Sequence, residues 1–151
     1  RRSGHSGRMT TSRKLLCAVY AVIALAAFVA TWSQNVAYLD SGTTGFLTGF
    51  IDGTRVTPAS RSITVDILLF FLAAAVFMVI EARKLGVRYV WAYIVGGALI
   101  AISVTFPLFL IARERELAKS GEAIRLPVLD KVLLSVFTVA VAGMVLHVDL
   151  T

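Results

Sequence analysis

Four apolar runs, residues 15–33, 63–80, 89–112 and 132–148, alternate with short polar stretches along the chain. A helix rises about 1.5 Å per residue and needs about 17 to 25 apolar residues to cross roughly 30 Å of hydrocarbon. Each run falls in or near that window, so the pattern predicts an all-α membrane protein. The first three runs are expected to form a bundle of three transmembrane helices, residues 12–117. Residues 118–151 are read as a connector and a fourth transmembrane helix. That last run is short and ends in His147 and Asp149, so an interfacial helix is its alternative.

Local signals refine the boundaries. The first helix is expected to begin near Ser12 and to leave the hydrocarbon near Trp32, whose indole suits the headgroup layer. A glycine-rich loop over residues 34–57 follows, with Phe46, Phe50 and Ile51 between its glycines. Thr57-Pro58 predicts a helix start, because Thr caps free amides and proline at the first helical position gives up no hydrogen bond. The short Leu85-Gly86-Val87 turn then forces the second and third helices into an antiparallel hairpin with a basic tip, Arg83, Lys84 and Arg88. Within the third run, Gly97, Ala101 and Thr105 recur at four-residue spacing and Gly96 widens the stripe, a pattern that admits close helix packing. Pro107 is expected to kink that helix by freeing the carbonyl of Ser103.

Charge sharpens the topology. The chain carries a net charge of +6, with a mean hydropathy of +0.82. Its cations sit at the ends of apolar runs, where headgroups and the positive-inside rule account for them, and no basic patch interleaved with stacking aromatics suggests nucleic acid. The N-terminal group Arg1, Arg2, Arg8, Arg13 and Lys14 and the hairpin tip favour one side, with Arg55 and Arg61 on the opposite one, which predicts a cytoplasmic N-terminus in a bacterial inner membrane. Counted through four crossings, however, the connector with Arg113, Arg115, Lys119, Arg125 and Lys131 falls on the outside, against the rule. A cleaved signal sequence over 15–30 is disfavoured, because no small-x-small cleavage site follows before Trp32. Residues 1–11 read as a disordered basic tail, with Met9 a possible start of translation.

Candidate chemistry is sparse. Cys17 is the only cysteine, and His5 and His147 lie at opposite ends without ligand spacing, so no metal or other cofactor is expected. No nucleotide loop, nucleophile elbow, HExxH or CxxC motif occurs. Asp66 is the exception, since an ionisable residue in an apolar run is a functional candidate by default. With Trp32, Gln34 and Asn35 leaving the membrane on the same side, it defines a candidate ligand-binding mouth. The competing reading pairs Asp66 with Arg61 or with headgroup water. Glu81 and the Arg113-Glu114-Arg115-Glu116 stretch read as solvated helix ends.

Three functional readings follow. The leading one is a noncatalytic accessory or oligomerising membrane subunit, in a homo-oligomer or larger complex within the lipid bilayer. The second is an enzyme or binder for an isoprenoid or lipid at Asp66, and the third a small proton-coupled transporter.

The order of landmarks also carries a resemblance: Trp32-Ser33-Gln34-Asn35, the Asp66 helix, Glu81-Ala82-Arg83-Lys84-Leu85-Gly86, and Ile102-Ser103-Val104-Thr105-Phe106-Pro107-Leu108. Over residues 9–117 the chain resembles the DUF2834 family of small bacterial membrane proteins, particularly its actinobacterial members. The resemblance implies three helices and assigns no activity or catalytic residue.

Overall fold

The computed structural model describes residues 9–121 and 124–151, without the side chains of Tyr38, Asp40 and Ser41. The tail expected before Met9, with His5, lies outside them. The described residues form helices joined by short turns, without strands: α1 (Thr11–Asn35), α2 (Gly42–Gly53), α3 (Pro58–Leu85), α4 (Val90–Leu99), α5 (Ile102–Ser120) and α6 (Val128–Leu150), with a 3-10 helix at Val36–Ser41 after α1. The fold is all-α, as the apolar pattern predicts. Helices α1, α3 and α6 are long and apolar enough to cross a membrane.

Both long early helices start where their caps dictate. The Thr10 hydroxyl accepts from the Arg13 amide at 3.3 Å, opening α1. At α3 the Thr57 hydroxyl accepts from the Ser60 amide at 3.0 Å, the Ser60 hydroxyl accepts from the Thr57 amide at 3.1 Å, and Pro58 occupies the first turn. This reciprocal pair satisfies two amides that a helix start otherwise leaves open. Gly86 ends α3 in the left-handed conformation at φ 75°, which only glycine adopts without steric cost. The stretch expected as a loop over 34–57 is mostly helical instead. Phe46 and Phe50, four apart and so on one helix face, stack with centroids 6.2 Å apart in α2.

The third apolar run departs most from expectation. It is two helices, separated where Ile100 turns at φ −106°, ψ −74° and Ala101 is extended at φ −177°, ψ 138°. The chain folds back there: the rings of Tyr93 and Phe109 meet edge-on at 5.8 Å, and Thr105 and Ile102 lie against Gly97. Thus α4 and α5 form an antiparallel hairpin. Pro107 lies inside α5, and the interruption falls six residues before it. The break sits between two weak points of a continuous helix, the poor helix former pair Gly96-Gly97 and the donorless Pro107. Folding back buries Phe109 with Met78, Ala82, Val87, Val90 and Ile94 as the hydrophobic core.

With its 10 residues, α4 is only about 15 Å long, half a bilayer. The α4–α5 pair therefore folds back to the end of the bundle where α4 begins. Helix α6, the fourth run, is 23 residues long and apolar enough to cross. Its last turn meets that of α1, where the Gln34 side-chain amide donates to Asp149 Oδ1 at 3.0 Å. The helices long and apolar enough to cross are the first, second and fourth runs, and the third is folded back into a hairpin.

Candidate functional site

Charged side chains converge at the end of the bundle where the hairpin returns. Arg13, near the start of α1, donates to Glu114 of α5, and both are buried at 3% exposure. Arg113 donates through Nε to Glu81 of α3 at 2.8 Å and through Nη1 to Glu114 at 3.3 Å, and its guanidinium lies 5.8 Å from the Phe77 ring centroid. Lys84 reaches Glu81 at 3.8 Å. Two arginines and two carboxylates thereby clamp α1, α3 and α5 at one depth. Burying these charges is tolerable because each has a partner. The cluster fixes helices.

Its residues looked like solvated helix ends in the sequence. Their partners are distant along the chain, and their common depth follows only from the fold-back of α5.

This geometry brings the cations to one end. Arg13, Lys14, Arg83, Lys84, Arg88, Arg113, Arg115 and Lys119 all lie there, and α6, whose C-terminal turn is at the other end, starts there with Arg125 and Lys131 nearby. Only Arg55 and Arg61 flank the opposite end among the described residues. The conflict over the connector arose from counting the third run as a crossing. A shallow groove of about 500 Å³ lined by Arg83, Gly86, Arg88 and Tyr89 marks the α3–α4 turn on the basic end.

At mid-depth, Gly96, Gly97 and Thr105 come together as a packing contact, in a manner different from a stripe on one helix. A methyl group at Gly97 would come within 2.7 Å of Phe71, 2.9 Å of the Thr105 hydroxyl and 3.1 Å of Ile102, and one at Gly96 within 3.2 Å of Thr105. Ala101 is the extended corner between the helices, and Pro107 is buried in α5. The Thr105 hydroxyl is buried without a hydrogen-bond partner.

At the opposite end, Trp32 stacks on Phe28 with centroids 6.2 Å apart, and its indole N–H is buried without a partner. Gln34 and Ser33 both engage Asp149 of α6, at 3.0 and 3.5 Å. Asn35 is half-buried where α1 passes into the 3-10 helix. Asp66 is exposed on α3, and among the described residues it makes no hydrogen bond or ion pair, so no contact joins it to Trp32, Gln34 or Asn35. Among the described residues no group of three or more His, Cys, Asp or Glu is placed to hold a metal.

Long apolar helices around a folded-back hairpin, clamped by ion pairs at one end, define a small multi-pass α-helical membrane protein. The chain belongs to the family described as Protein of unknown function DUF2834, whose profile matches residues 19–115. That match runs from Val19 within α1 through most of α5 and includes the hairpin and the ion-pair residues Glu81, Arg113 and Glu114, while Arg13 lies before it. No curated protein and no solved structure matches the chain.

Proposed function

We propose that this chain is a noncatalytic subunit of a bacterial cytoplasmic membrane, assembling laterally with copies of itself or with a larger membrane complex. The observation that carries this reading is α6. Its apolar window has no buried residue within the chain, and its main contact with the rest is with α1, where Gln34 and Ser33 meet Asp149. A helix-to-helix interface in lipid is made by close packing of small side chains, and Gly143 offers an approach with nothing near it. The orientation follows from the concentration of cations at one end, which the positive-inside rule assigns to the cytoplasm. The N-terminus, the α3–α4 turn and the α5–α6 connector then all face the cytoplasm.

The test is purification in mild detergent, followed by native mass measurement and partner identification. Discrete homo-oligomers or a reproducible co-purifying membrane protein support the proposal, and Gly143→Leu is expected to reduce that association. A strictly monomeric protein without a partner overturns it.

A further inference from the structure

We propose that the groove at the α3–α4 turn seats the headgroup of an anionic phospholipid, with Arg83 and Arg88 on its phosphate. The first reason is charge that the fold leaves uncommitted. At this end of the bundle Arg13 and Arg113 hold Glu114, Arg113 and Lys84 hold Glu81, and Lys119 holds Glu116. Arg83 and Arg88 line one groove of about 500 Å³, are both exposed, and among the described residues make no ion pair or hydrogen bond. No carboxylate lines the groove with them, and the acid nearest to Arg83 along α3, Glu81, is already bound by two cations. Two guanidiniums without a counter-charge suit a phosphate, which the planar fork of arginine grips through paired N–H donors.

The second reason is the shape and depth of the groove, which favour a lipid over a free ion. Its floor is made by Ala82, Gly86 and Val87, and a methyl group at Gly86 would meet nothing within 4 Å, so the space over the turn is open. Exposed ion pairs are individually weak, so two arginines in an open groove would not retain dilute phosphate. A lipid is already confined to the plane of the bilayer, which supplies the missing effective concentration. Tyr89 and Trp91 follow directly, both exposed, with rings suited to the headgroup layer. Trp91, Val95 and Leu99 then stand at four-residue spacing as an exposed apolar row along α4, a path for an acyl chain away from the turn. Basic recesses between membrane helices on the cation-rich side are suited to anionic headgroups for these reasons.

Trp91 reports on the site. In the full chain Trp32→Phe leaves Trp91 as the one tryptophan, and this protein is placed in lipid discs of equal phosphatidylcholine and phosphatidylglycerol, with bromine on the upper acyl chain of one lipid or the other. Bromine in contact quenches the indole, so the two quenching efficiencies read which lipid sits at the turn. Phosphatidylglycerol is expected to be favoured about fivefold or more, and the preference to fall to near unity in Arg83→Gln combined with Arg88→Gln. Lys14→Gln combined with Arg115→Gln removes as much charge from the same end but outside the groove, and is expected to keep the preference. Equal quenching by both lipids with the groove intact overturns the site, as does a preference that survives loss of both groove arginines. A preference lost equally in the Lys14 and Arg115 pair overturns it as well, by showing a diffuse field. Relief of the quenching by inorganic phosphate would assign the groove to a soluble anion and overturn the lipid. Monodisperse elution with unchanged helical signal identifies folded variants, and Arg88→Gln alone, outside both helices, is read in the same way where the double variant does not fold.

Discussion

The Tyr93 and Phe109 rings meet at 5.8 Å, although on one straight helix their Cα atoms would lie about 24 Å apart along the axis. That contact folds a run with the composition of a crossing into a hairpin. If the three long helices cross, every segment after it lies on the other side of the membrane from where a count of four apolar runs would put it.

Topology is accordingly the first prediction. Reporters fused before Thr11 and within the α5–α6 connector after Ser120 are expected on the same side of the membrane, and a reporter after Leu150 on the other. In a bacterial host, paired fluorescent and alkaline phosphatase fusions read this directly. A connector reporter on the side opposite the N-terminus would require α4 and α5 to cross as one helix.

The Arg13–Glu114 pair gives the second. Both side chains are almost fully buried, so Glu114→Leu leaves a guanidinium in the bundle without that partner and is expected to destabilise the fold by about 3 to 5 kcal/mol. Arg13→Met combined with Glu114→Met removes both charges and should recover most of that loss. Denaturant unfolding in mixed micelles, followed by helical signal, measures each variant. Equal stability of the single and double variants would show that the pair does not couple α1 to α5.

At the hairpin the expected ranking is set by space. Gly97→Ala places a methyl 2.7 Å from Phe71 and 2.9 Å from the Thr105 hydroxyl, and overpacking of this kind typically costs about 1 to 3 kcal/mol. Gly96→Ala meets only the Thr105 methyl at 3.2 Å and should cost less. Thr105→Ala in the Gly97→Ala background relieves one of the two clashes and gives up no hydrogen bond, since that hydroxyl makes none. Partial recovery of the melting temperature checks the relationship. Full independence of the two substitutions would contradict it.

How far the sequence reaches is visible in these same residues. Thr57-Pro58 and Leu85-Gly86 mark the ends of α3 because capping is local, and Trp32 lies close to the end of α1. Gly97 and Thr105 also announce a close approach, but eight residues apart they fit equally a stripe on one helix or two faces of a sharp hairpin. Nothing at Ile100-Ala101 is a helix breaker, so the choice between those geometries rests on burial of Phe109 against Met78 and Val90, which no window of sequence contains. The ion-pair cluster was hidden for the same reason. Glu81 and Glu114 become partners of Arg113 only once α5 is known to return. In α2 the apolar spacing of Phe46 and Phe50 outweighed glycines that read as a loop.

Tyr89 supplies the last prediction. It holds φ 60°, ψ 32° at the start of α4, the one non-glycine residue with positive φ among those described, and its side chain is 79% exposed. The left-handed conformation costs an ordinary side chain about 1 to 2 kcal/mol, while asparagine is tolerated there. The chain accepts that strain because the Gly86–Tyr89 turn must reverse α3 into α4 within a few residues and seat Val87 and Val90 in the core. Tyr89→Asn is therefore expected to raise the unfolding free energy in detergent by about 1 kcal/mol. Arg88→Asn, at an adjacent exposed position, should leave it unchanged. In a bilayer the gain should shrink, because the substitution also removes an aromatic ring suited to the headgroup layer. Comparing both variants in micelles and in lipid discs separates backbone strain from interfacial anchoring, and a loss of stability by Tyr89→Asn in micelles would show that the ring, rather than the turn, governs this position.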